Sequence, residues 1–126
     1  RHDIWVKLLG NAALNPISAL TRGTMREILD NPETRALVRR VMEEIDAVAR
    51  ALGIRIEISI DQRIAGAEKV GEHKTSMLQD VEAGRPLEIE ALAGVIIELA
   101  DKLGVPVPST RAVYACTKLL GQKTAG

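Results

Sequence analysis

The sequence predicts an all-α domain, and three observations carry that prediction. Apolar residues recur every three or four positions in two long stretches, Leu37/Val38 to Leu52 and Ile89 to Leu103. Helix starts and stops punctuate the chain at Asn31-Pro32, Gly53, Gly84-Arg-Pro86, Gly104 and Gly121. Only one run alternates as a strand would, Ile54 to Ile60, and no second run offers it a partner. With about six or seven helices and short connections, the expected architecture is a compact multi-helix domain rather than a coiled coil.

Each element has a local reason. Asp3 is placed to cap a first helix running to about Asn15. Pro16 lacks an N–H and crowds the carbonyl of Ala12, so the helix should kink or end there. A polar connection through Ser18, Thr21, Gly23 and Thr24 precedes a short helix over Met25 to Leu29. Asn31 caps the next helix with Pro32 at its first position, and Arg39–Glu43 and Arg40–Glu44 pair charges along its wet side. Ile54, Ile56, Ile58 and Ile60 should lay an extended connector on the core. Ser59 and Gln62 have capping-box spacing for a helix from Asp61 to about Val70. Ser76 and Gln79 have the same spacing for a helix to about Ala83. The Ile89–Leu103 helix closes at Gly104, and Pro106 and Pro108 stiffen the loop after it. Ser109 or Thr110 should start a last helix that Gly121 stops, with Cys116 as a small core residue.

Bulk properties narrow the function. The 126 residues suffice for one domain with one core. A composition 46% hydrophobic and 27% charged is that of an ordinary globular domain. Basic and acidic residues balance at 17 each, so no net positive field draws nucleic acid or an anionic membrane. The single cysteine, Cys116, excludes an internal disulfide framework and points to a reducing, cytoplasmic setting. No apolar run is long enough to span a bilayer and no signal-peptide pattern opens the chain. Because the first residue is Arg1 and not Met, the sequence reads as a domain excised from a longer protein.

Several chemistries lack their residues. There is no glycine-rich phosphate fingerprint and no P-loop. His2, His73 and Cys116 show no zinc spacing, and no nucleophile elbow or triad is marked. Trp5 and Tyr114 are too few for a base-stacking platform. What remains is a polar stripe on the apolar first helix. Lys7, Asn11 and Asn15 fall at i, i+4 and i+8, so one cation and two amides share a face. A later block, His73 to Glu90, adds Ser76 and Glu88.

The N-terminal W-x-K-L-x-x-N-x-x-x-N-P, then T-S-M-L-Q-D-x-x-x-G-R-x-x-E-I-E, then a G-V-P-V-P loop resemble the C-terminal domain of ketopantoate reductase (2-dehydropantoate 2-reductase). The resemblance covers most of the chain and implies an all-helical domain like the C-terminal domain of 6-phosphogluconate dehydrogenase. It further implies a preceding Rossmann domain, missing here, that binds NADPH across a cleft. The implied reaction is hydride transfer from NADPH to ketopantoate, giving pantoate for pantothenate and coenzyme A. By the same resemblance Lys7 is the catalytic ammonium, Asn11, Asn15 and Ser76 bind substrate, and Glu88 sits beside cofactor and substrate. Met25 stands where some relatives carry a further substrate-binding asparagine.

Plainer readings stand beside these. Lys7 can be a surface lysine lying along apolar neighbours, and Asn11 and Asn15 a solvated helix face. Ser76 can be only a helix cap, and Glu88 only a first-turn acid. His73, Lys74 and Arg85 read as exposed loop groups. Two rival functions follow: a paralogous reductase of another 2-oxo acid with Met25 lining its pocket, or a non-catalytic helical dimerisation module. The chain alone is expected to be inactive, and to self-associate through an apolar face left by the missing domain.

Overall fold

The computed structural model describes residues 2–124, and among them there are helices and connections but no strand. The order is α1 (His2–Thr21), α2 (Met25–Asp30), α3 (Pro32–Ala51), α4 (Ile60–Val70), α5 (Ser76–Glu82), α6 (Val95–Leu103) and α7 (Pro108–Thr124). A single π-helical turn, Glu90–Gly94, leads directly into α6.

Helix α1 is the hub. It packs against α2, α3, α4, α5, α7 and the π-turn. Trp5, Leu9, Ala12, Ala13, Leu14 and Ile17 enter a main core with Val38, Val41, Met42, Ile45 and Val48 of α3. Ala19 belongs to a second, smaller core with Met77, Val81, Ile89 and Ala93. Pro16 therefore does not end α1, which runs on to Thr21. Past the proline, Ile17 and Ala19 are fully buried. Burying one isoleucine returns about 2 kcal/mol, which offsets most of a mid-helix proline's cost of about 3 kcal/mol. Asp3 lies within the first turn of α1 rather than capping it from outside.

The middle of the chain follows its local signals. Asn31 Oδ1 accepts from the amides of Glu33 and Thr34, with Pro32 next in line. Ser59 and Gln62 complete a reciprocal capping box. Ile54, Ile56 and Ile58 lie on the main core in the connector between α3 and α4, unpaired as predicted, whereas Ile60 packs there as the first residue of α4.

Three later elements differ from expectation. First, the cap of α5 is Thr75, not Ser76. Its hydroxyl accepts from the Leu78 amide at 3.1 Å, and Ser76 is the first helical residue. Thr75 wins because it is buried against α1, where its hydroxyl meets that of Ser18. Ser18 in turn donates to the Asn15 carbonyl at 2.8 Å. Second, the Ile89–Leu103 stretch opens with the π-turn rather than a regular α period. Gly94 makes room for Glu90, whose carboxylate accepts from the Tyr114 hydroxyl at 2.7 and 2.9 Å; a side chain on Gly94 would fall 2.6 Å from that carboxylate. Third, α7 starts at Pro108 and runs through Gly121, which packs closely on Leu87 instead of stopping the helix. The cap of α7 comes from α3. Glu44 accepts from the amides of Ser109 and Thr110 at 3.0 and 2.8 Å and from the Thr110 hydroxyl at 2.7 Å. A carboxylate suits the positive end of a helix. On α7 it is Thr117, not Cys116, that faces the core; Cys116 is exposed.

Two stability measurements check these assignments. Thr75→Val should lower unfolding free energy by about 1–3 kcal/mol in denaturant titration, because it orphans the Leu78 amide and Ser18 together. Ser76→Ala should change it by less than about 0.5 kcal/mol. Equal losses would return the cap to Ser76. Glu44→Ala should cost about 1–2 kcal/mol and fray the first turn of α7, seen as faster amide exchange at Ser109 and Thr110.

Candidate functional site

Four of the five predicted site residues share one cleft. Asn11 and Asn15 from α1, Ser76 from α5 and Glu88 from the segment before the π-turn line a cleft of about 320 Å³. Met77, Asp80 and Leu92 complete the lining. That volume is at the small end of the range for ligand pockets, suited to a small acid and not to a dinucleotide.

Each wall has a local cause. Asn11 and Asn15 share one face because they are four residues apart on the same helix, α1. Asn15 is buried and Asn11 partly buried, so the stripe is not a solvated face. Ser76 is carried to the rim by the Thr75–Ser18 contact, and its hydroxyl is exposed and takes no part in the α5 cap. Met77 points into the second core beneath, with Leu92 packed on that core.

The return of Glu88 depends on how α5 ends. Gly84 takes φ +70°, a left-handed conformation that glycine adopts without strain. Its amide reaches the Val81 carbonyl, and the Arg85 amide reaches back to the Asp80 carbonyl at 2.8 Å. Beyond that turn the chain brings Glu88 to the cleft lined by Ser76 and Asp80 of α5. The same turn sets Arg85 Nε 2.9 Å from Asp80 Oδ1. Asp80 was not singled out in the sequence, although it lies in the Thr75–Asp80 motif. Its signal is its spacing, four residues after Ser76 and so one turn along the same helix face. Arg85 is thus an ion-pair partner at the rim as well as an exposed loop group.

Lys7 stands outside this lining. It is exposed, one turn of α1 before Asn11, and borders an adjacent groove with Asp3, Ile4, Val6 and Arg63. The five groups therefore do not share one hollow: four line the cleft, and Lys7 borders a separate groove one helical turn along α1. Met25 packs against the main core and is not among the cleft residues. Lys74 is exposed and paired with Glu82, and His73 is exposed, as expected of loop groups.

What the arrangement can do follows from its groups. Two carboxamides and a hydroxyl supply donors and acceptors together, which fits a ligand with hydroxyl, keto and carboxylate oxygens. Two carboxylates, one neutralised by Arg85, can accept from ligand hydroxyls. Among the described residues no cluster of metal-ligating side chains is present, and no helix is long and apolar enough to cross a membrane.

Comparison with known proteins agrees with this picture. The family model described as "Ketopantoate reductase PanE/ApbA C terminal" matches residues 1–121. A 2-dehydropantoate 2-reductase of Mesorhizobium japonicum is 51% identical over 120 residues, covering 95% of this chain and 37% of the relative. A crystal structure of a PanE/ApbA family ketopantoate reductase from Ralstonia eutropha JMP134 superposes with a TM-score of 0.93 at 35% identity, covering 100% of this chain and 43% of that one. A ketopantoate reductase from Staphylococcus aureus, described as dimeric, superposes with a TM-score of 0.81 at 33% identity, covering 98% of this chain and 44% of that one. The chain thus spans well under half the length of the relatives it matches, and what it shares with them is the whole of its helical fold. It belongs to the ketopantoate reductase family, as that family's C-terminal helical domain.

Proposed function

We propose that this chain is the substrate-side domain of an NADPH-dependent 2-dehydropantoate 2-reductase, which reduces ketopantoate to pantoate in pantothenate and coenzyme A synthesis. The observation that carries the reading is the shared cleft of Asn11, Asn15, Ser76 and Glu88, with Lys7 one helical turn away. The reading includes a partner Rossmann domain, because this chain has no glycine-rich pyrophosphate cradle and its cleft holds only a small acid. It also includes a cytoplasmic setting and, by analogy with the dimeric relative, a homodimer.

NADPH supplies a hydride to the keto carbon when bound. As that carbon is reduced, negative charge gathers on the carbonyl oxygen. The Lys7 ammonium neutralises the charge and delivers the proton that completes the alcohol. Because Lys7 is exposed, water can reprotonate it after each cycle. Asn11 and Asn15 orient the hydroxyl-bearing end of the acid, and the unencumbered Ser76 hydroxyl adds a donor at the rim. Glu88, free in solvent at the cleft edge, accepts from a hydroxyl of substrate or cofactor, or orients the ammonium.

A second reading keeps the chemistry and changes the acid. Met25 occupies the position of a family asparagine and is drawn into the core, so one polar contact of some relatives has no counterpart in the cleft. Another branched 2-oxo acid would then be the substrate. The non-catalytic module is disfavoured by the burial of Asn15 and by the cleft it shares with Ser76.

In the complete reductase, Lys7→Ala should cut kcat on ketopantoate by roughly 10²–10⁴-fold, the usual contribution of a positioned proton donor. Undiminished turnover would remove Lys7 from that role. Asn15→Ala and Ser76→Ala should each raise KM by about tenfold, the loss of one hydrogen bond to a charged or polar ligand. A panel of 2-oxo acids decides between the two substrates: ketopantoate must show the highest kcat/KM. The chain without its partner should show no NADPH oxidation at all.

A further inference from the structure

The groove beside Lys7 contains a second cation whose placement is costly. The guanidinium of Arg63, from α4, lies directly on Gly10 of α1. A side chain at position 10 could not share that space, since its first carbon would fall 1.9 Å from a terminal nitrogen of Arg63 and 2.2 Å from its central carbon. The guanidinium's internal hydrogen bond is a long one, from Nε to the Val6 carbonyl at 3.4 Å. Among the described residues no carboxylate forms an ion pair with it; Arg22, Arg40 and Arg55 are likewise without one, but of these four only Arg63 is partly buried. Asp3 borders the same groove but forms no ion pair with Arg63 or Lys7. Burial pushes the Arg63 guanidinium below its ordinary value.

Two penalties meet at this spot. A partly desolvated charge without a counter-ion is unfavourable. A glycine inside a helix costs about 0.5–1 kcal/mol relative to alanine. Neither serves packing in an evident way, and local conflict of this kind is expected where a ligand resolves it. The helix geometry says where that ligand would lie. Gly10 and Val6 fall about 60° and 100° round α1 from Lys7, while Asn11 and Asn15 fall about 40° and 80° round the other way. Lys7 thus separates a cationic groove from the carboxamide cleft. The planar fork of an arginine matches two oxygens of a carboxylate or phosphate at once.

We propose that the Gly10 notch holds Arg63 as an oxyanion-binding group beside Lys7, receiving a carboxylate or phosphate of the molecule that reaches that lysine. The inference rests on the proposed reductase reading for its choice of ligands: the oxyanion is the carboxylate of the 2-oxo acid or a phosphate of the nucleotide.

Steady-state kinetics of the complete reductase test it. Arg63→Gln should raise one KM by about tenfold or more, a larger factor than any fall in kcat, and Arg63→Lys should recover part of the loss. A rise confined to the 2-oxo acid assigns the carboxylate, and a rise confined to NADPH assigns the phosphate. Two unchanged KM values overturn the proposal. If the wild-type enzyme does not reduce ketopantoate, the reductase reading falls, and Arg63 is then judged by titration of the chain itself. Inorganic phosphate or 2-oxobutanoate should shift the Arg63 Nε–H resonance saturably in wild type, and not in Gly10→Ala, which keeps the charge but displaces the guanidinium. No shift with either anion would also overturn it.

Discussion

A buried line of hydroxyls holds the site together. The Leu78 amide donates to Thr75, whose hydroxyl donates to Ser18, whose hydroxyl donates to the Asn15 carbonyl. That order is the one assignment in which each hydroxyl gives one proton and accepts one. The line is buried and joins the first turn of α5 to the last turns of α1. Together with the packing of Met77 and Val81 on Ala19, it fixes Ser76 and Asp80 relative to Asn11 and Asn15. An unpaired hydroxyl there would carry its whole desolvation penalty, so the joint is held in one geometry.

The same helix builds the core and the cleft. Most of α1 is buried against α3, α4, α5 and α7, and Asn11 and Asn15 face the cleft that α5 and Glu88 help to line. The second core under Met77 and Leu92 supplies the floor. Rigid elements therefore present the carboxamides, while the solvent-exposed Glu88 and Lys7 sit at the margins.

Charge is divided across α1. Two cations, Lys7 and Arg63, outnumber the one carboxylate, Asp3, at one depression, and two carboxylates, Asp80 and Glu88, border the other. The net charge of the chain is zero, so attraction for an anionic ligand comes from this local separation and not from a global field.

Most of the secondary structure was legible in the sequence because its causes are local. Asn31-Pro32, the Ser59–Gln62 box, the four alternating isoleucines and Gly104 act within a few residues of themselves. The stripe of Lys7, Asn11 and Asn15 was legible for the same reason, since a helix's own period sets it. What failed depended on partners far along the chain. Pro16 is overridden by burial of Ile17, Thr75 displaces Ser76 through Ser18, and Glu44 caps α7 from 65 residues away. Glu88 returns to the cleft beyond a left-handed turn at Gly84, and Arg63 lies on α1 only because Gly10 leaves a space. Local chemistry determined which segments are helical and which face is polar; long-range packing alone decided what stands opposite that face, because burial and hydrogen-bond satisfaction are settled between helices, not within them.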